Sequence, residues 1–165
     1  MKRGYNVDDK GSLLIHSGNV VTATGSSRSD VLVRNGSIEA VAPGLQGATE
    51  GVDRVIDATG HWVMPGGIDT HTHLAHPIGR LGVTTADDFY TGTVAGAFGG
   101  VTTIVDFGLQ EQGGTLGEAR HQRLAMIAPD AVIDYGFHII VTDVNENVLS
   151  EMEGLINSGF PSFKI

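Results

Sequence analysis

The chain has 165 residues, 41% of them hydrophobic and 18% charged, with no cysteine and a net charge of −9. That balance suits one ordinary domain, or one small domain and part of a larger one, and excludes a disordered chain, disulfides and a thiolate metal site. An acidic chain without a basic cluster argues against nucleic acid or an anionic membrane as partner, and no run approaches the ~18 apolar residues of a membrane helix.

The start, Met1 to Lys10, is polar with no apolar stretch behind it. No signal peptide is expected there, and a reducing, cytoplasmic location is the default. Residues 12–60 read as short strands: Leu13–His16, Asn19–Ala23, Asp30–Arg34, Ser37–Ala42 and Arg54–Ala58. Ser-Gly, Gly-Ser-Ser, Asn-Gly and Pro-Gly separate them, and Asn35-Gly36 between two β-rich runs is the strongest hairpin signal. This stretch is expected to be part of a small antiparallel β-sandwich or open barrel.

After Gly66 the pattern becomes strand, helix, strand, helix. Strands are expected at 67–73, 101–107, 133–141 and 161–165, and helices at about 86–98, 116–128 and 146–157. Asp87 or Asp88 can cap the first helix and Asn145 the third, while Gly99-Gly100 and Gly159 stand where helices stop. Strands spaced by roughly 25–35 residues match βα units, which build parallel sheets. The expected fold class is α/β: the first half of a (β/α)8 TIM-like barrel over 63–165, preceded by a β-sandwich segment over 1–62. Because Ser162–Ile165 reads as the middle of a fourth strand, the expectation is an incomplete chain.

The chemistry centres on Trp62-Val-Met-Pro-Gly-Gly-Ile-Asp-Thr-His-Thr-His-Leu74. Side chains alternate across a strand, so Asp69, His71 and His73 are expected on one face. Two imidazoles at i and i+2 can grip one cation there, whereas a helix would splay them by about 200°. Neutral imidazole suits zinc-like metals. A bare HxH is equally a pair of surface histidines; the Pro-Gly-Gly entry and the shared parity with Asp69 favour a metal. Lys164, flanked by Phe163 and Ile165, shares a face with Ser162 and is expected to point into the barrel, where burial would favour the free amine. The competing reading is a strand-end lysine reaching solvent.

Other residues carry weaker signals. His138 reads as a hydrogen-bonded core histidine or a barrel-facing one, and His76 as a pocket-lining candidate. His121, beside Arg120 and Arg123, reads as solvated, and His16 and His61 lie in the β segment. Gly96-Ala-Phe-Gly-Gly100 follows a helix and lacks the order of a phosphate loop, so it reads as a terminator. Asp106 ends its strand as a loop cap or as support for the site.

At these residues the chain resembles the metal-dependent cyclic amidohydrolases, and within them the dihydropyrimidinase/hydantoinase group. The matching stretches are Val63–His73, Thr85–Thr93, Phe98–Phe107, Asp134–His138 and Ser162–Lys164, with Ile56–Gly60 similar to that group's N-terminal sandwich segment. The resemblance implies that His71 and His73 bind the first of two divalent metals, zinc being expected. It further implies that Lys164 reacts with carbon dioxide to become a bridging carbamate. Two further histidines and a proton-shuttling aspartate are implied beyond Ile165, so no catalytic residue is assigned within the chain.

The implied reaction is hydrolysis of a cyclic amide, a dihydropyrimidine or hydantoin ring, by a metal-activated hydroxide, in a homotetramer. A chain with only part of the site is expected to be inactive alone. The alternatives are an allantoinase or dihydroorotase-like enzyme, or a non-catalytic scaffold. A dihydroorotase-like chain would carry arginine two residues after the second histidine; Ala75 stands there, with Arg80 as the nearest substitute.

Overall fold

The structure, a computed structural model, describes residues 11–48 and 50–165, with the side chains of Ala48 and Arg80 also left undescribed. The polar start, Met1 to Lys10, and the side chain of Arg80 as a substrate cation therefore lie outside the described residues. The chain divides into two compact units, Met1–Pro65 and Gly66–Ile165.

In the first unit, β1 (Ser12–Thr22), β2 (Gly25–Arg34) and β3 (Ser37–Ala42) form an antiparallel meander. The β2–β3 turn is Asn35-Gly36, with φ of 51° and 75°; both are positive, as a two-residue primed turn requires. The two strands expected at 13–16 and 19–23 are one strand, broken by a bulge at His16-Ser17. Ser17 takes a φ of 62°, and its N–H, lost to the ladder, donates to the buried Asp30 carboxylate at 2.7 Å. The other oxygen of Asp30 accepts from the Leu45 N–H at 2.8 Å, so one acid ties the bulge to the following turn.

β4 (Arg54–Asp57) and β5 (Trp62–Val63) then pair parallel to β1. The pairing expected to be antiparallel throughout is thus corrected: among the described residues the unit forms one mixed sheet of five strands. Two-residue turns can only reverse a strand, whereas the longer path through the 3-10 turn Leu45–Ala48 returns the chain to the far side of β1 in the same direction. Val63, expected to open the second unit, pairs with Val20 and belongs to the first.

The second unit begins with β6 (Gly67–Asp69), followed by the hairpin of β7 (Pro77–Ile78) and β8 (Val83–Thr84) and by α1 (Phe89–Phe98). Then come β9 (Val101–Leu109), α2 (Leu116–Ile127), β10 (Asp134–Ile140), α3 (Glu146–Asn157) and β11 (Phe163–Lys164). The strands β6, β9, β10 and β11 are all parallel and stand side by side in chain order. This is a half-barrel sheet; among the described residues it does not close into a barrel.

Local chemistry explains the helices. Asp88 accepts from the Thr91 N–H at 2.7 Å, Thr115 and Glu118 form a reciprocal capping box, and Asn145 accepts from the Val148 N–H. The core lies on the helix side of the sheet: Ile104, Phe137, Ile139 and Val141 pack on Leu116, Ala119, Ile127, Val148 and Leu155. Strand alternation therefore leaves the next residues, Phe107, His138, Ile140 and Lys164, on the opposite face. Among the described residues, no helix is long and apolar enough to cross a membrane.

Candidate metal-binding site

The expected strand through His73 stops at Asp69. A register irregularity between Gly67 and Ile68 and an early end to pairing turn the chain away from strict alternation. Asp69, expected beside the two histidines, accepts instead from the backbone N–H of His71 at 3.1 Å, as an aspartate opening a turn does. The histidines converge regardless. Their Nε2 atoms lie 3.3 Å apart, and their rings meet edge to face with centroids 5.2 Å apart.

The surface beneath them is one phenylalanine. Phe107 is 3% exposed although it belongs to the sheet face away from the core. His73 stacks on its ring at 4.5 Å and 14°, His71 meets it at 4.6 Å, and the Lys164 Nζ sits 4.6 Å from its centroid. His138 completes the surround at 5.0 Å. The three residues expected to hold metal, His71, His73 and Lys164, thus gather on one aromatic plate at the C-terminal ends of the parallel strands, where open α/β sheets place their ligand sites. Lys164 is exposed in this chain, so the burial expected to favour its free amine is not provided by the elements present.

His138 is hydrogen-bonded at both ring nitrogens. Its Nε2 donates to the Thr70 carbonyl at 3.0 Å, and its Nδ1 meets the Ser162 hydroxyl at 2.6 Å. A carbonyl can only accept, so the proton sits on Nε2 and Nδ1 of the neutral ring accepts from Ser162. The ring joins the residue before His71 to the residue two before Lys164. His76 stacks edge-on against His73 at 4.6 Å and, with Phe107 and Arg123, lines a cavity of about 90 Å³.

Burial holds the His73 imidazole below its ordinary pKa, and the charges of His76, Lys164 and His71 act in the same direction, against a pull from Asp106. His76 is lowered by burial and then by the Arg123 guanidinium. Both shifts favour neutral imidazole, the form that binds metal.

A zinc-like cation fits the pair. For a tetrahedral cation with nitrogen ligands at 2.0–2.1 Å, two donor atoms stand about 3.3 Å apart. The Nδ1 of His73 has no hydrogen-bond partner among the described residues, so the ring is anchored by stacking rather than by a second bond. No group of three or more histidines or carboxylates is arranged to hold a metal among the described residues. Two imidazoles and one amine are what these residues bring together.

Two contributors were not read from the sequence. One is Phe107; the other is Arg123, to which the sequence assigned no role and which is only 5% exposed. Arg123 Nε donates at 2.9 Å to Asp106, which is fully buried. A signal was present, because Leu116, Ala119, Arg123 and Ile127 form one buried helical stripe and Ile104 and Asp106 share a strand face. An acid and a base stood on two facing apolar surfaces.

No family model matches the chain. Relatives and solved structures do. The chain is 45% identical over 153 residues to the D-hydantoinase of Streptomyces coelicolor, covering 92% of this chain and 32% of that protein. It is 40% identical to the dihydropyrimidinase of Dictyostelium discoideum, covering 96% of this chain and 31% of that protein. Over nearly all its length the chain is homologous to the D-hydantoinases and dihydropyrimidinases. The crystal structure of a dihydropyrimidinase from Brevibacillus agri superposes with a TM-score of 0.86 at 46% identity, covering 93% of this chain and 32% of that one. A D-hydantoinase crystal structure does so at 41% identity and the same TM-score of 0.86. The chain thus spans about a third of the length of the hydantoinase and dihydropyrimidinase relatives it matches.

Proposed function

We propose that this chain supplies the first four strands and part of the metal site of a cyclic amidohydrolase that opens a dihydropyrimidine or hydantoin ring. The observation that carries this reading is the 3.3 Å approach of the His71 and His73 Nε2 atoms above Phe107, with the Lys164 amine over the same ring. The names of the hydantoinase and dihydropyrimidinase relatives support the substrate class. The rest of the (β/α)8 barrel, two further histidines and a proton-shuttling aspartate are assigned to chain beyond these residues.

In this reading His71 and His73 hold the first of two divalent cations, zinc being the expected one, as neutral ligands. Lys164 would serve both: its free amine adds to carbon dioxide, the N–C bond forms as one C=O π pair moves onto oxygen, the nitrogen loses a proton to solvent, and the resulting carbamate would offer two oxygens that share one negative charge. When bound, such cations make water nucleophilic at neutral pH and polarise the scissile carbonyl. Phe107 closes the floor beneath the histidines to water, and His138 ties Thr70 to Ser162, aligning the histidine turn with the strand of Lys164. Ala75 places no cation two residues after His73, which favours a neutral ring over dihydroorotate. The complete protein is read as a cytoplasmic homotetramer that binds neither nucleic acid nor membrane.

The test uses a protein carrying this chain in a closed barrel. Native mass analysis and metal stoichiometry compare wild type with Lys164→Ala, and a carbamate mass with two metals per subunit is expected only in wild type. Retention of two metals and near-normal hydantoin turnover in Lys164→Ala would refute the assignment. A dihydroorotate specificity constant equal to that for dihydrouracil would sink the neutral-ring preference.

A further inference from the structure

We propose that the buried Asp106–Arg123 pair is a clamp that holds the His71-Thr72-His73 turn at ligand spacing, so that both residues act as positioning residues for the metal site. The inference rests on the metal reading above but concerns residues outside the donor set.

Asp106 spends both carboxylate oxygens on this task. One accepts from the Arg123 guanidinium and, at 2.6 Å, from the Phe107 N–H. The other accepts from the Thr72 hydroxyl at 3.0 Å and from the Leu74 N–H at 2.9 Å. Arg123 in turn donates to the Leu74 carbonyl at 2.5 Å. The residue between the two histidines and both backbone groups of the residue after them are therefore held by one ion pair. The same acid fixes the backbone of Phe107, the plate on which both imidazoles rest.

Economy of stability does not explain such a pair. Removing two charges from water costs several kcal/mol per ion, and apolar residues of similar volume are often as stable or more so. What the pair adds is direction. Backbone pairing to β9 has dwindled to the Thr72 N–H donating to the Val105 carbonyl, in a turn that has left the strand. The rings rest on Phe107 and the turn is entered at the His138 bond to the Thr70 carbonyl, but the clamp is what holds Thr72 and Leu74 on either side of His73. Partners that orient ligands in this way typically cost 10–100-fold in metal affinity when removed.

The experiment replaces the pair by apolar residues of similar volume, Asp106→Leu with Arg123→Met, in the 165-residue chain. Three quantities are followed: thermal stability, the ring-to-ring nuclear Overhauser contact between His71 and His73, and zinc affinity by calorimetry. The expected result is a melting temperature close to wild type, loss of the ring contact, faster hydrogen exchange at the Leu74 amide, and zinc binding weakened about tenfold or more. A pair with a merely structural role would leave the contact and the affinity in place once stability is kept, and that outcome overturns the proposal. Should the double variant fail to fold, Thr72→Val carries the test, since it removes one clamp bond from a turn outside the core. Unchanged ring contact and zinc affinity in that variant overturn the proposal equally. A wild-type chain that shows the ring contact and loses it in the variant, yet binds no zinc in either form, upholds the clamp and contradicts the reading that His71 and His73 hold a cation without the remaining donors.

Discussion

His73 illustrates how a residue's neighbours decide its chemistry. Burial opposes its protonation first, followed by the charge of His76, so its imidazole is expected to titrate below the ordinary 6.5. A folded value below the unfolded one means that the unfolded chain binds more protons between them. Its contribution to stability is therefore complete above about pH 6.5 and is lost as pH falls through the folded value; His76 adds to the same trend. A ring-proton titration placing His73 at or above 6.5 would contradict this. Phe107 makes a second prediction. Truncating it to Ala removes the plate under two imidazoles and the Lys164 amine, and a loss of about 3 kcal/mol in urea unfolding is expected. The His71–His73 ring contact should disappear with it, whereas Phe107→Leu should keep most of the stability.

At the level of elements, the second unit is built from strong local signals. The Asp88 carboxyl is held below the usual range by the Thr91 N–H, so the cap stabilises α1 above about pH 4 and is lost as pH falls through its lowered folded value. Asp88→Ala should lower the thermal unfolding midpoint at neutral pH, and much less at pH 2. The start of β6 depends on a missing side chain. A Cβ on Gly66 would lie 2.2 Å from the Thr102 Cγ2 and 2.7 Å from its Cβ, too close for any rotamer to relieve. Gly66→Ala should therefore push β6 away from β9 and destabilise the chain by about 1–3 kcal/mol in denaturant titration. No change in the unfolding midpoint would show that β6 can shift freely.

For the molecule as a whole, the sheet of the second unit ends in β6 on one side and β11 on the other, and neither edge has a further strand paired to it among the described residues. Ile68 on β6 is 64% exposed, and Ile165, next to β11, is 94% exposed. Unpaired apolar edges template self-association. The 165-residue chain alone is expected to associate with rising concentration in sedimentation velocity, and to open neither hydantoin nor dihydrouracil because it brings only three donors to the site. Monomeric chain with strong metal-dependent turnover would contradict both expectations.

What the sequence determined by itself is local. Asn35-Gly36 makes its turn through backbone freedom at two residues, and the helices over 86–98, 116–128 and 146–157 stand within three residues of their observed bounds because caps and stripes lie within one turn of the residues they govern. The pairing of His71 with His73 was likewise legible, being a matter of two residues. Tertiary structure decided the rest. The parallel pairing of β4 with β1 joins residues about forty apart, and the Arg123 bond to the Leu74 carbonyl spans 49. Parity put His71 and His73 together for a reason that fails, since the strand ends at Asp69 and the two rings meet instead in a turn packed on Phe107 and bonded to Asp106 and Arg123. Such a site is made by groups that meet only after the sheet has formed, and no spacing along the chain encodes which acid will find which base.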